Sequence, residues 1–414
     1  MQNLPRTSSA FIELEEKYGA HNYHPLPVVL ERGEGVYVWD VEGKKYYDFL
    51  SAYSAVNQGH SHPAIVEALV HQAGKLALTS RAFYNSNLGE YEKKITELFG
   101  FDKVLPMNSG AEAVETALKI ARKWSYEVKG VQKNSAKIIV CENNFHGRTT
   151  TIVSFSNDPD AHKNYGPFTP GFEKIPYNDL EALRNVLEND AENIAAFLVE
   201  PIQGEAGVYV PDEGYLKGAS ELCQKHNVLF IADEVQTGIA RTGKLIACHN
   251  ENVQPDILIL GKALSGGMYP VSAVLANDHI MNVIQPGQHG STFGGNPLAC
   301  AVAMAALDVV EDEKLSERAE TLGKIFRSEM KKVIEKTDLI THVRGKGLLN
   351  AILINDTPES STAWNICLKL RDNGLLAKPT HGNIIRLAPP LVITEEQIMD
   401  CVQIIEKTVL EYKK

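Results

Sequence analysis

No apolar run in this chain approaches the roughly 18 residues that a membrane-spanning helix needs. Cysteine pairs are also missing. The six cysteines (Cys141, Cys223, Cys248, Cys300, Cys367 and Cys401) are scattered, with no CxxC among them. That argues against a disulfide framework or a zinc knuckle and fits a reducing compartment. There is no excess of positive charge. The formal net charge is -11, which disfavours a general nucleic-acid surface but allows a local positive pocket for an anionic ligand. No GxGxxG follows an early strand pattern, which argues against a nicotinamide enzyme. The glycine-rich GQHGSTFGG at 287–295 contains no GKT and is not a P-loop. His60-Ser61-His62 is not followed by a third ligand at a set spacing, so no metal is expected. No internal repeat or low-complexity segment stands out. The first twenty residues carry Glu13, Glu15 and Glu16 and no apolar core, so they do not read as a signal peptide. They are also a poor Arg-rich transit peptide. The expected compartment is the cytoplasm. A mature chain already trimmed for the mitochondrial matrix would look the same.

What is present is an ordinary globular composition, 414 residues with 44% hydrophobic and 22% charged. That length suits one large domain and a smaller one. Apolar, β-branched runs at 137–141, 194–199, 228–232 and 257–260 read as buried strands. Helical periodicity at 64–76, 88–99, 113–124, 180–187 and 214–225 falls around them. Residues 36–40 and 45–50 predict a hairpin, 51–58 a polar connection, and 271–276 an antiparallel or edge strand. After a long Ala-rich helix from Asn296-Pro297 to 310 the pattern shifts. Helices at 322–334, 362–372 and 394–412 alternate with strands at 348–353, 375–378 and 384–387, as in a separate α/β unit.

The stretch around which the rest is organised is VLFIADEVQTG through ILGKALSGG, residues 228–267. One strand ends in Asp233 and the next in Gly261-Lys262. In an open α/β sheet the strand C-termini line the ligand crevice. A lysine held there among apolar groups can act as an amine nucleophile. A surface lysine and a turn aspartate would give the same local pattern. Asn108-Ser109-Gly110-Ala111-Glu112 predicts a capped helix start whose leading amides can meet a phosphate. An ordinary cap with no ligand would read alike. In ENNFHGRT, Phe145 and His146 could stack on a flat ring and Arg148 could grip a carboxylate; a packed aromatic and a surface arginine are the alternative. Glu205 follows the strand at 194–199 and falls on the crevice side. Arg386 lies within a strand, on a rigid element. The irregular HNYHPLP carries Tyr23 and is either a linker or a loop reaching over a pocket.

Together these residues resemble the fold-type I, class-III pyridoxal-phosphate aminotransferases that act on ω-amino groups. YGAHNYHPLPVVLERG, SAYSAVNQGH, TSRAFYN, EPIQGEAGV, FIADEVQTG, GKALSGG, HGSTFGGNPLA, VRGKGLLNAI and NGLLAKPTHGNIIRLAPPL carry the resemblance over nearly the whole chain. Tyr23 in HNYHPLP and Tyr53 in SAY are similar to members acting on L-ornithine and 2-oxoglutarate, and tell against acetylornithine or 4-aminobutyrate. The resemblance implies an α/β fold with a large domain of mostly parallel sheet, residues 51–297. A smaller α/β domain would come from both chain ends, residues 1–50 and 298–414. It implies a homodimer with shared active sites, or a higher homo-oligomer, working in proline and arginine metabolism. Lys262 resembles the lysine that binds pyridoxal 5'-phosphate. Asp233 matches the partner of the ring nitrogen, and Gln236 the residue near the ring hydroxyl. Val235 and Phe145 match the two ring faces, with His146 beside the ring. Ser109, Gly110 and Ala111 match the phosphate cup, with Ser291 near it and Thr292 reaching the phosphate of the other subunit. Tyr23, Tyr53 and Arg148 resemble residues that receive ornithine. Arg386 resembles the grip on the α-carboxylate of glutamate, and Glu205 its gate. An inactive binding protein of this fold would need a broken site, yet Lys262, Asp233, Arg148 and Arg386 are all present.

Overall fold

The computed structural model describes residues 7–413, and three sheets organise these residues. The first contains β1 (Leu30–Glu34), β2 (Tyr37–Asp40) and β3 (Lys45–Asp48), paired antiparallel in turn. The second contains β4 (Lys103–Met107), β5 (Lys137–Cys141), β6 (Phe172–Ile175), β7 (Ile194–Val199), β8 (Leu229–Asp233), β9 (Ile257–Leu260) and β10 (Ser272–Ala276). Its order is β4-β10-β9-β8-β7-β5-β6. The third contains β11 (Ile340–Lys346), β12 (Leu349–Ile354), β14 (Lys378–Thr380) and β15 (Ile384–Leu387). The intervening β13 (Leu375–Leu376) leaves it to pair parallel with β3. A segment near the C-terminus thereby completes the sheet begun near the N-terminus.

The central strands β7, β8 and β9 are buried along their whole length. Side chains alternate between the two faces of a strand, and both faces here are covered. Phe197, Val199, Phe230, Ala232, Leu258 and Leu260 enter one core. Leu198, Leu229, Ile231, Ile257 and Ile259 enter the other. Full burial of each such large side chain is worth about 1.5–3 kcal/mol relative to exposure, so this centre is rigid. Helix Gly110–Trp124 packs over β9 and β10 on the second face. Helix Pro297–Asp312, with Asn296 as its side-chain cap, packs on Pro63–Ala73. Strands β5, β7, β8 and β9 run parallel. Their C-terminal ends therefore place residues 142–148, 200–205, 233–236 and 261–262 along one edge of the sheet.

The strong apolar runs lie where the sequence pattern predicts them. β5, β7, β9 and β15 have the expected bounds. The expected strand at 271–276 is antiparallel but internal, between β4 and β9, and β4 takes the edge. The run at 375–378, read as one strand, is divided at Ala377 between two sheets. The helix read from 322 begins at Leu315. Strands β1, β6 and β11 were not expected, because each carries exposed or half-buried polar residues and lacks a continuous apolar run. The Pro-, Gly- and Asn-rich stretch 156–171 contains one helical turn, Pro159–His162. The polar connection at 51–58 opens with a left-handed turn, Ser51–Ser54.

Candidate active site

β9 ends at Leu260, and Gly261 in extended conformation leads to Lys262 at φ +46. That left-handed geometry is rare for a side-chain-bearing residue and turns the lysine out of the strand direction. Burial pushes the Lys262 ammonium down to about 8; Asp233 opposes this, and Arg386 adds to it. Asp233 closes β8 and is buried. Its Oδ1 accepts from Val235 N at 3.1 Å, and its Oδ2 lies 2.7 Å from His146 Nδ1. Burial works against protonation of His146, but Asp233 and then Glu200 outweigh it, so the imidazole is held above its ordinary value. The far nitrogen, Nε2, is buried without a hydrogen-bond partner among the described residues. Sequence reasoning missed Glu200 as a site residue. It follows the fully buried β7, and its Oε2 accepts from Phe145 N at 2.9 Å. Burial raises its carboxyl to about 7, against the pull of His146 and with the push of Asp233. Its position at the end of an apolar strand, like that of Asp233, was the signal available.

The helix Gly110–Trp124 starts with the expected cap. Ser109 Oγ accepts from Glu112 N at 3.2 Å, and Glu112 Oε2 accepts from Ser109 N at 2.9 Å. The amides of Gly110 and Ala111 precede the first intrahelical bond and so are available to an anion. Space here is tight: a Cβ on Gly110 would sit 3.0 Å from Val235 Cγ1. A Cβ on Gly261 would sit 3.3 Å from the same methyl. Ser272 Oγ donates to Ser109 O at 2.7 Å, tying the cap to β10. Ser291 Oγ accepts from Asn108 Nδ2 at 2.9 Å, so it stands beside this chain's own helix start, while Thr292 is exposed. Phe145 is half-buried, and the exposed Arg148 has its Cζ 5.8 Å from the phenyl centroid.

A second cluster surrounds Arg386, which is only 1% exposed. Nη1 donates to Gln236 Oε1 at 2.6 Å, and Nη2 donates to Ser54 Oγ at 3.3 Å. Glu205 Oε2 lies 3.8 Å from Nη1. The Tyr53 ring centroid is 5.4 Å from Cζ. Burial lowers the pKa of this guanidinium and Glu205 opposes the shift. Gln236, expected near a cofactor ring hydroxyl, is thus bonded to Arg386 through its carbonyl oxygen. Ser54 was not foreseen. It belongs to the left-handed turn, with φ of 50, 46, 59 and 72° at Ser51, Ala52, Tyr53 and Ser54. Such backbone costs about 1–2 kcal/mol per non-glycine residue, so surrounding contacts must hold it. Burial and then Glu205 raise the Tyr53 phenol. Tyr23, 71% exposed, and Arg148 also act on it electrostatically. The structure therefore brings Tyr23, Tyr53, Arg148, Glu205 and Arg386 into one neighbourhood.

His60 is bonded to Asp48 and His62 to Glu313. Among the described residues no group of three or more His, Cys, Asp or Glu could hold a metal ion. The donor set instead suits a flat, phosphorylated, aldehyde-bearing ring. It provides an amine of lowered pKa, a buried carboxylate for a ring nitrogen, apolar Val235 and Phe145 for the ring faces, and a helix start for the phosphate.

Comparison with known proteins agrees with this chemistry. The model of the family "Aminotransferase class-III" matches residues 18–409. The rat protein named "Ornithine aminotransferase, mitochondrial" is 63% identical over 408 residues, spanning 99% of this chain and 92% of the relative. A crystal structure described as acetylornithine aminotransferase from Elizabethkingia anophelis is 80% identical, with TM-score 0.91, covering 98% of this chain and 99% of that one. The ornithine aminotransferase of Toxoplasma gondii, described with partial occupancy of PLP at its active site, is 51% identical with TM-score 0.95. It covers 99% of this chain and 95% of its own. The chain belongs to the class-III aminotransferases.

Proposed function

We infer that this protein is a pyridoxal-phosphate-dependent aminotransferase that moves the δ-amino group of L-ornithine to 2-oxoglutarate. The products of its two half-reactions are L-glutamate 5-semialdehyde and L-glutamate. The observation that carries this reading is the unequal state of two arginines. Arg386 is buried and engaged by Gln236, Ser54 and Glu205, whereas Arg148 is exposed. Ornithine must offer its δ-amine to Lys262 with its carboxylate held away. Arg148 receives that carboxylate and Tyr23 the α-amino group. Glutamate and 2-oxoglutarate must be held close to the reacting carbon, and Arg386 provides that grip. Closed on Glu205, Arg386 is neutralised and does not attract ornithine by the wrong end. An incoming dicarboxylate displaces Glu205, exchanging one charge pair for another, which limits the desolvation cost.

Ser109, Gly110 and Ala111 would hold the cofactor phosphate, Asp233 the ring nitrogen, and Val235 and Phe145 the ring faces. When bound, the cofactor supplies an electron sink for the carbon that loses a proton. Lys262 Nζ, with its lowered pKa, takes that proton from Cδ of ornithine and returns one as a general acid. Asp233 would offer its carboxylate to the ring nitrogen, and His146, with Nδ1 2.7 Å from Oδ2, fixes that carboxylate in place. The small-domain division at 1–50 and 298–414 belongs to this reading. So does completion of each site across a homodimer by Thr292. Exposed Phe83, Tyr84 and Phe293 near that loop suit such a contact. Either the cytoplasm or the mitochondrial matrix suits the reduced cysteines.

The description of the 80% identical structure favours a second reading, in which the α-amino group of the substrate carries an acetyl cap. Single-turnover kinetics with L-ornithine, N-acetylornithine and 4-aminobutyrate separate the two. The expected order places ornithine first by kcat/KM. A preference for the acetylated substrate would overturn the ornithine assignment and leave the aminotransferase reading standing.

A further inference from the structure

The turn Ser51–Ser54 consists of four consecutive non-glycine residues in the left-handed region. Single residues visit that region; a run of four needs a clamp. The clamp is visible. Asp48 Oδ1 accepts from Leu50 N at 2.8 Å and from Ser51 N at 2.9 Å. Asp48 Oδ2 lies 2.7 Å from His60 Nε2, which fixes the carboxylate. Ser51 Oγ donates to Ala388 O at 2.7 Å, and Ala388 N donates to Phe49 O at 2.8 Å. Ala388 is two residues beyond Arg386 on the same chain segment. The strained turn and the strand bearing the arginine are thus tied together at their roots. At their tips they meet again, where Ser54 Oγ accepts from Arg386 Nη2 and the Tyr53 ring faces the guanidinium. Asp48 and Ser51 are buried.

We propose that Asp48, oriented by His60, is a positioning residue for the carboxylate grip: it clamps the left-handed turn so that Ser54 and Tyr53 hold the Arg386 guanidinium in place for a dicarboxylate substrate. This rests on the reading of Arg386 as the grip for 2-oxoglutarate. Plain structural hydrogen bonds would have no reason to favour one substrate over the other. The clamp does, because its outlet is Arg386. It also implies that relaxing the turn makes the clamp dispensable. Ala52 is exposed at φ +46, so glycine there adopts the turn without strain and without losing a buried contact.

The test uses the cofactor-loaded protein with Asp48→Ala, Asp48→Asn and the double variant Asp48→Ala/Ala52→Gly. Each half-reaction is followed alone, and binding of the unreactive dicarboxylate glutarate is titrated in parallel. Asp48→Ala is expected to raise KM for 2-oxoglutarate and Kd for glutarate on the order of ten-fold, with kcat at saturation near wild type and a clearly smaller loss in the ornithine half-reaction, to which the turn contributes Tyr53 alone. Asp48→Asn keeps an oxygen for the two amides and should stay near wild type. Ala52→Gly in the Asp48→Ala background should restore most of the lost affinity. Equal loss in both half-reactions, or no rescue by glycine, would overturn the proposal while leaving the function intact. A wild-type protein inert toward 2-oxoglutarate and unable to bind glutarate would bring down the reading of Arg386 and the proposal with it.

Discussion

The two ends of the site are built in different ways. At the Lys262 end, Asp233, Glu200 and Lys262 each stand at or just beyond the C-terminus of a buried parallel strand. Their spacing follows from that of neighbouring strands, and little else is needed. At the Arg386 end, Gln236, Ser54, Glu205 and Tyr53 converge from three separate stretches onto a strand of another sheet. One of those stretches is strained. The first end suits chemistry that every member of the family must perform. The second can change with substrate, because its geometry depends on contacts that single substitutions alter.

Removing the amine at the rigid end should have the largest effect. Lys262→Ala is expected to slow transamination by about 10³-fold or more in both half-reactions, since base and nucleophile vanish together. Wild-type-like turnover in a single-turnover assay would break the assignment. The lowered pKa of Lys262 adds a pH expectation. The amine works as a base only when neutral, so proton abstraction should rise with pH and level off above about 8. A solvent-corrected profile flat from pH 6 to 9, with the ionisation of substrate allowed for, would exclude Lys262 as the titrating base.

At the assembled end the effects should be smaller and one-sided. Arg386→Ala should cost about 10²-fold in kcat/KM for 2-oxoglutarate, from loss of charge-assisted hydrogen bonds, while sparing the ornithine half-reaction. Equal damage to both would mean that the two ends are not separable. Glu205→Ala should act in the opposite sense. With Arg386 left open, the ratio of δ- to α-amino transfer from ornithine is expected to fall about ten-fold, as one charged contact becomes free to bind the wrong end. An unchanged product ratio would remove the gate from the account. The smallest expected effect returns to the rigid end. Gly110→Ala places a methyl 3.0 Å from Val235 Cγ1, so cofactor retention during dialysis should fall by a few-fold, roughly the outcome of a modest steric shift. Unaltered retention would show that Val235 can yield.

Much of the rigid end was legible because local pattern and position coincide there. A run such as LFIAD or ILIL is continuous only when both faces of a strand are covered, and the residue that ends it is then on the crevice edge. The Ser109 cap was equally plain, since S-x-x-E before an apolar helix sets its own hydrogen bonds. Glu200 follows the same rule and was passed over as a site residue, although it stands directly after β7 much as Asp233 closes β8.

Features with a local cause are readable from the residues alone: the buried strands, the capped helix start, and the family strings that go with Lys262 and Asp233. Features that need distant segments to meet emerge with the folded chain. It put β10 inside the sheet, divided 375–380 between two sheets, and turned Gln236 toward Arg386. It also forced SAYS into a left-handed turn that no propensity favours. The physical reason is that backbone preference is worth a kilocalorie or so per residue. Asp48 just before the turn, half-buried His60 that orients it, and the distant, buried Ala388 together outweigh it.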